Sequence, residues 1–458
     1  MKTQTFPYII IGLVIALSAC QKGFLEQKPD QALLVPETLT DFQSLLDNSN
    51  SVMNYSPYLS TISSDDIYTP SNGLAGQSVE IQNSYVWAPV IFQSTSGIDW
   101  TRPYQQVFYA NIVLDGLKDF KGAASITQLN ELRGAAYFYR AFAFYNIAQE
   151  FAPPYNPASA QADPGIPLRL SSDVNDKTVR STLRQTYEQI IADLNQAHNL
   201  LPANTAFKTR PTKTAADALL ARVYQTMQDY DQALTYANQS LQGGPKLLDY
   251  NSLAPSAAFP MPVALRNGTD EVIFYAVLIN NGMLNGTASL TGIDTALYKT
   301  YSGNDLRKKL FFNDSGNHIY RFRGSYTGTS LPFSGLATDE QYLIRAECYA
   351  RTGHPEAAMA DLNALLQMRY QTGSFIPLTA SGASDALGQV LLERRKELVY
   401  RDLRWTDLRR LNQDPQFAKT LVRTVKDQNY TLAPNDNKYV FPIPDEVIST
   451  SGIQQNPR

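Results

Sequence analysis

The sequence predicts a predominantly α-helical fold built from helical hairpins, with an irregular, loop-rich insert that carries short strands. Two patterns indicate this fold. Apolar residues recur every three or four positions through several segments, and the helical rhythm stops over residues 245–338. Of the 458 residues, 43% are hydrophobic and 18% are charged, which excludes a disordered, collagen-like or coiled-coil chain.

The first twenty residues have the pattern of an export signal. Lys2 precedes an apolar run over 6–17, which is too short for a bilayer span of roughly 20 residues but fits the core of a signal peptide. The run ends in Leu17-Ser18-Ala19-Cys20, which resembles the lipobox of bacterial lipoproteins. We expect a signal peptide over 1–19, lipidation of Cys20 and a membrane tether over 20–40. An incidental cysteine or an uncleaved anchor remains the alternative.

A single domain is expected over 41–458. It begins with a short helix at 41–46 and a longer one at 100–120, separated by loops rich in glycine, serine and asparagine. Helical hairpins follow at about 131–201, 213–243, 339–370 and 384–412, and a proline-rich loop over 151–180 interrupts the first.

The insert over 245–338 contains β-like runs at 271–279 and 318–322, with a turn predicted at 313–316. The prolines of the closing segment 438–444 predict an extended chain.

Two of the hairpins share a spacing of small residues. Ala221 and Ala233 lie twelve residues apart, as do Ala346 and Ala358, and a tyrosine follows the first alanine of each pair by three residues. Small residues let two helices approach closely, and this spacing is typical of tetratricopeptide (TPR) units of 34 residues. The sequence therefore predicts TPR-like packing.

The remaining motifs resemble one family. They are Phe24-Leu25 after Cys20, and the segments LRGAAYFYRAF (132–142), TYEQIIADL (186–194), RPTKTAADALLARVY (210–224), ERRKEL (393–398), RWTDLRR (404–410), FPIP (441–444) and QNP (455–457). In order and spacing the chain resembles SusD/RagB-type surface nutrient-binding lipoproteins. Asp402 departs from the pattern, because the family commonly has glycine two residues before the Arg-Trp pair.

This resemblance implies a TPR scaffold without catalytic activity or cofactor. It also implies a lipid anchor on the outer face of the outer membrane and a SusC-like TonB-dependent transporter as partner. The implied ligand is an oligosaccharide, with a peptide as the alternative within the family. A periplasmic TPR scaffold that binds protein segments, and a secreted hydrolase, are the competing interpretations.

Charge and composition exclude several other functions. With 39 basic and 42 acidic residues there is no basic excess for nucleic acid, and three scattered histidines with two cysteines argue against a zinc site. Cys348 is expected to be a core thiol. A turn is favoured over calcium binding at 435–437, and a capping or turn role over catalysis at Asp65-Asp66. The charge cluster over 393–410 is expected to form structural ion pairs.

Aromatic residues suggest where a ligand binds. Ten of them lie in 51–110, and an aromatic ring offers a sugar a stiff, flat contact. Trp100, Tyr104 and Phe108 recur every four residues, so we expect these three in a helix core. The predicted ligand-binding residues lie outside any helical period or in the insert that the family often uses: Tyr68, Tyr85, Trp87, Tyr298, Tyr301 and Tyr326.

Overall fold

Helices form the framework of the structure, a computed structural model that describes residues 36–93, 97–244, 246–263 and 269–458. The predicted signal peptide, Cys20 and most of the predicted tether lie outside the described residues. The described α-helices are α1 Leu39–Leu46, α2 Leu59–Ser63, α3 Ser71–Ala75, α4 Val79–Tyr85, α5 Ile98–Lys118, α6 Ile126–Phe151, α7 Leu183–Leu200, α8 Lys213–Thr226, α9 Tyr230–Gln242, α10 Thr295–Lys299, α11 Arg307–Phe311, α12 Thr338–Arg351, α13 Pro355–Gln367, α14 Ala383–Glu397, α15 Arg404–Leu411 and α16 Asp445–Ser451.

Successive helices pack as hairpins. α6 packs on α7, α8 on α9 and α12 on α13, and α14 packs on both helices of the third pair. Side-chain caps define the starts of the first hairpin's helices: Ser125 and Gln128 cap α6 reciprocally, and Thr182 and Gln185 cap α7. These helices coincide with the four predicted hairpins. None of the described helices is both long and apolar enough to cross a membrane.

The repeated alanines lie where helices touch. Ala221 of α8 and Ala233 of α9 form a buried apolar cluster with Ile344 and Cys348 of α12. Ala346 and Ala358 are also fully buried, in the cluster of the third hairpin. The predicted repeat and the predicted core thiol at Cys348 are both confirmed.

Short strands lie mainly in the insert and near the amino terminus: β1 Tyr55–Ser56, β2 Ile67–Tyr68, β3 Pro164–Pro167, β4 Arg180–Thr182, β5 Val272–Phe274, β6 Val277–Leu278, β7 Gly292–Ile293, β8 Phe312–Asp314, β9 Tyr320–Phe322, β10 Leu336–Ala337, β11 Leu421–Val425 and β12 Gln428–Leu432. The predicted hairpin around 313–316 is confirmed, because β8 and β9 pair in antiparallel register. These two strands belong to a four-stranded sheet with the order β2-β7-β9-β8.

Three features differ from the sequence-based expectations. The stretch expected to be loops between α1 and α5 contains the short helices α2, α3 and α4. The loop over 151–180 includes β3, which pairs with β4. The predicted extended segment 438–444 begins in a 3₁₀ turn at Asn437–Tyr439, which Asp436 caps, so the turn expected at 435–437 is present.

Many charged residues of the carboxyl-terminal third are ion-paired in the interior. Arg307 binds Asp305, Glu393 and Glu397, while Arg410 binds Glu347 at 2.5 Å. The structural interpretation of the charge cluster is confirmed, although most partners come from other elements rather than from the same helix.

Asp65 and Asp402 also have structural roles. Asp65 lies with Asp66 in a turn, which agrees with the expected capping or turn role, and it also pairs with Arg395, Arg404 and Lys419. Asp402 has a φ of 61°, in the left-handed region that favours the glycine expected there. Its Oδ1 accepts hydrogen bonds from Ser60 Oγ at 2.5 Å and Thr61 Oγ1 at 2.8 Å, which stabilise this conformation.

Candidate functional site

Tyr68 presents an aromatic ring at the surface. It lies in β2, where it pairs with Gly292 of β7, and 37% of the residue is exposed. Its neighbour Ile67 pairs with Ile293, which pairs in turn with Tyr320 of β9, and both isoleucines are buried. Because side chains alternate between the faces of a sheet, Tyr68 points away from the core.

A polar groove lies next to the β2–β7 strand pair that carries Tyr68, although Tyr68 itself does not line it. It has a volume of about 630 Å³ and lies between α3 and the loop that leads into β7. Most of its lining side chains carry amides or hydroxyls: the lining is Asn72, Gly73, Gly76, Gln77, Asn280, Asn281, Gly282, Asn285, Thr287, Ala288, Ser289, Leu290 and Thr291. We call it the amide groove.

Close backbone packing joins the two walls of the amide groove. Thr69 Oγ1 donates to the carbonyl oxygen of Leu290 at 3.0 Å. A Cβ on Gly73 would lie 2.5 Å from Thr69 Oγ1 and 2.9 Å from Leu290 Cβ, so only glycine permits α3 to approach this closely. The groove is therefore a built feature of two distant segments.

Some of the groove's amides are available to a ligand. Asn72 is exposed, and its side chain makes no hydrogen bond to any residue that the structure describes. Asn280 accepts a bond from Asn285, which leaves its own amide hydrogens free among the described groups. By contrast, Asn281 holds its own loop by accepting from the backbone of Met283 and Leu284. Free amides can both donate to and accept from hydroxyl groups.

Tyr85 and Trp87 lie behind this surface rather than on it. Their exposed fractions are 3% and 2%, because Tyr85 ends the helix α4 and Trp87 packs in the main core. The hydroxyl of Tyr85 accepts from Thr69 N at 3.2 Å, and Trp87 Nε1 donates to the carbonyl of Ser63 at 2.9 Å. The expectation that both rings face a ligand is corrected: they support the strand that carries Tyr68.

Tyr301 and Tyr326 are also buried, contrary to the expectation of surface contacts. Tyr301 donates to the carbonyl of Lys396 at 2.7 Å. Tyr326 donates to Asp339 at 2.9 Å inside the ion-pair network, where burial and then the charges of Asp339 and Glu271 raise its pKa well above the ordinary value. Both tyrosines therefore have structural roles, because their hydroxyl groups join the insert to the helical scaffold.

Tyr298 is half-buried and lies elsewhere. Its ring stacks on that of Tyr320 with 3.5 Å between centroids, and the ammonium of Lys308 lies 5.0 Å from it. Since Tyr320 lies in the row of Ile67 and Ile293, this stacked pair belongs to the face opposite Tyr68. The structure does not bring the predicted tyrosines together on one surface.

The helical aromatics of α5 divide between core and surface. Trp100 is buried, as expected, but Phe108 is 38% exposed. Both line a second groove of about 270 Å³ with Tyr104, which donates to the carbonyl of Pro167. The expectation of a core position is therefore wrong for Phe108.

One buried group of carboxylates has the spacing of a metal site. Ligand atoms of Glu271, Asp339 and Glu397 lie within 4.8 Å of one another. Arg369 pairs with both glutamates and Arg401 with the aspartate, so cationic side chains already neutralise them. A divalent cation does not fit this donor set.

The amide groove could not be predicted from local sequence patterns, because its two walls lie far apart in the chain. One signal was present: asparagine recurs at 280, 281 and 285, in a segment with no helical period. Amide-rich loops are common, however, and only the contact of Thr69 with Leu290 shows that this loop meets α3.

Comparison with known proteins agrees with this architecture. A family model described as starch-binding and associating with the outer membrane matches residues 23–225, and the SusD family model matches 254–458. A SusD-like protein of Formosa agariphila is 24% identical, over 100% of this chain and 99% of its own length.

Solved structures share the fold. A SusD superfamily protein of Bacteroides vulgatus has a TM-score of 0.74 at 23% identity, over 92% of this chain and 99% of that one. A laminarin-binding SusD-like protein has a TM-score of 0.63 at 19% identity, over 91% and 99%. The chain belongs to the SusD family, whose members are carbohydrate-binding proteins associated with the outer membrane.

Proposed function

We propose that the protein captures an oligosaccharide at Tyr68 and the amide groove and delivers it to a TonB-dependent transporter. The observation that carries this proposal is the groove itself, an open polar volume of about 630 Å³ whose wall reaches Thr291, the residue before the Gly292 that pairs with the exposed Tyr68. Amides bond sugar hydroxyls, and an aromatic ring packs on a sugar's apolar face. The laminarin-binding protein of the same fold supports a sugar ligand.

Binding without catalysis is the proposed activity. The lining of the amide groove contains amides, hydroxyls and glycines but no acidic, basic or histidine side chain among the described residues. Glycoside hydrolysis generally needs two carboxyl groups flanking the bond. Capture needs only complementary hydrogen bonds and apolar contact, which this groove offers.

Titration calorimetry with a panel of oligosaccharides tests the site. Tyr68→Ala or Asn72→Ala should weaken binding of the recognised sugar at least tenfold. Phe108→Ala removes an aromatic ring of nearly equal exposure, 38% against 37%, and should leave the affinity unchanged. Equal effects of all three variants, or cleavage of any sugar in the panel, would contradict the proposal.

Lipid anchoring and delivery are further parts of the proposal. Cys20→Ala should release the protein from the membrane fraction, and mass spectrometry of the wild type should show acyl chains on Cys20. Protease treatment of intact cells should digest a surface protein and spare a periplasmic one. Affinity purification from membranes should recover a TonB-dependent transporter with the wild type.

A further inference from the structure

We propose that the oligosaccharide bound beside Tyr68 is anionic and that Arg321 binds its carboxylate or sulfate groups. This inference rests on the proposed function and names the ligand class of the same site. It comes from the position of Arg321 in the four-stranded sheet and from the lack of a partner for its guanidinium among the described residues.

Register places Arg321 on the same face as Tyr68. Ile67, Ile293 and Tyr320 form one row across β2, β7 and β9. Both pairings are antiparallel, so β2 and β9 run in the same direction. Tyr68 directly follows Ile67, and Arg321 directly follows Tyr320, so both occupy the next position along their strands. Both side chains therefore leave the sheet on the face away from the buried isoleucines.

Tyr68 and Arg321 lie on two strands of the sheet that have only β7 between them. Two strand spacings separate β2 from β9, which is about 10 Å in a regular sheet. The strand between them carries Gly292 at this position, and so has no side chain there to separate Tyr68 from Arg321. β7 also lies very close to β9, since a Cβ on Gly292 would lie 2.6 Å from the carbonyl oxygen of Tyr320.

Arg321 has an uncompensated charge. Its side chain forms no ion pair and no hydrogen bond with any residue that the structure describes, and its Nε is buried without a partner there. The arginine at 307, by contrast, contacts three carboxylates. Nearby Arg323 donates only to backbone carbonyls, and its pKa is lowered by burial and then by the charge of Arg321.

A planar guanidinium with free donors matches a ligand oxyanion. Arginine binds carboxylate and similar oxyanions through two parallel hydrogen bonds, and such charge-assisted bonds are stronger than neutral ones. A neutral sugar would leave this half-buried cation unpaired. A uronic acid or a sulfated sugar would supply the missing charge while its ring contacts Tyr68 and its hydroxyls meet the groove.

Calorimetry on the full-length protein in detergent tests the inference with four probes. These are a galacturonic acid hexasaccharide, a sulfated galactan hexasaccharide, neutral laminarihexaose and hexaglutamate. We expect one of the two acidic sugars to bind most tightly, and we expect its affinity to fall in about 1 M salt, where the Debye length is about 3 Å. The comparison of these two sugars identifies the anionic group.

Two variants distinguish a direct contact between Arg321 and the ligand from a general effect of the protein's positive charge. Arg321→Gln should weaken binding of the acidic sugar at least tenfold while leaving the thermal melt unchanged, because the guanidinium has no partner to lose in the part of the chain that the structure describes. Lys177→Gln removes one equal charge from an exposed loop and should have no effect. Tightest binding of laminarihexaose, unaffected by Arg321→Gln, would overturn the anionic inference and leave the proposed function intact. Binding of hexaglutamate alone would overturn both.

Discussion

The guanidinium carbon of Arg423 lies 3.8 Å from the centroid of the Tyr85 ring and 4.8 Å from that of Trp87. Arg423 also donates to the carbonyls of Tyr85, Ile62 and Ser64. The β11–β12 hairpin thus holds the segment from which β2 emerges. This contact ties the exposed Tyr68 to a rigid support.

Removing this support should impair folding and binding together. Arg423→Met removes the donors to these buried carbonyls, and each buried carbonyl left without a hydrogen bond costs about 1–3 kcal/mol of stability. The free energy of unfolding measured by urea titration should therefore fall. Affinity for the recognised sugar should fall as well, because Tyr68 loses its backing. Val422→Ala, at an exposed neighbouring position, is the matched control. Unchanged unfolding of Arg423→Met would refute the supporting role.

Trp87 should behave as a core residue. Trp87→Ala removes a side chain that is 2% exposed, and such truncations cost roughly 3–5 kcal/mol of stability. Thermal denaturation should show a large drop in Tm, whereas Tyr68→Ala should melt like the wild type. A normal melt of Trp87→Ala with lost sugar binding would instead place Trp87 in contact with the ligand.

Helix contacts in the repeats can be tested by overpacking. Ala221→Trp and Ala346→Trp introduce large side chains at fully buried positions, which should destabilise the protein by about 1–3 kcal/mol or more. Ala360→Trp, on the exposed side of α13, should have little effect in the same denaturation assay. Equal stability of all three variants would show that the alanines do not lie at close helix contacts.

Asp99 should make stability depend on pH. Its Oδ2 accepts from Tyr58 N and Leu59 N, while burial raises its pKa to about 8 from an ordinary value of about 3.9. Between about pH 4 and about pH 8 the carboxyl of Asp99 is protonated in the folded protein but ionised in the unfolded chain. Across this range the free energy of unfolding therefore falls as pH rises.

Asp99→Asn keeps an acceptor oxygen without a titrating group. Urea midpoints at about pH 5 and about pH 8.5 should differ less for Asp99→Asn than for the wild type, with the variant gaining stability at the higher pH. Some pH dependence should persist, because burial also raises the pKa of Asp402 to about 7. Asp231→Asn, at an exposed position, should retain the wild-type difference.

Local patterns in the sequence predict the scaffold well. The helical hairpins follow from apolar periodicity, and the close packing at Ala221 and Ala346 follows from side-chain size. The insert's β8–β9 hairpin follows from a turn motif between two short apolar runs. Each of these depends on residues that lie near one another in the chain.

The candidate site was only partly predictable, because burial depends on distant partners. Aromatic enrichment selected Tyr68 and Trp87 equally, although one is exposed and the other lies in the core. The ring of Tyr85 is covered by Arg423, 338 residues later in the chain. Similarly, no local pattern relates Asn72 to the loop over 280–291 that forms the opposite wall of the groove.

The hydrogen bond from Thr69 to Leu290 spans 221 residues, and it has a consequence for folding kinetics. Contacts of such sequence separation form late, because the long loop must close before they contribute. Helical hairpins such as α8–α9 can form from neighbouring residues much earlier. During refolding, recovery of helical circular dichroism should therefore precede recovery of sugar binding, and neither half of the chain expressed alone should possess the groove.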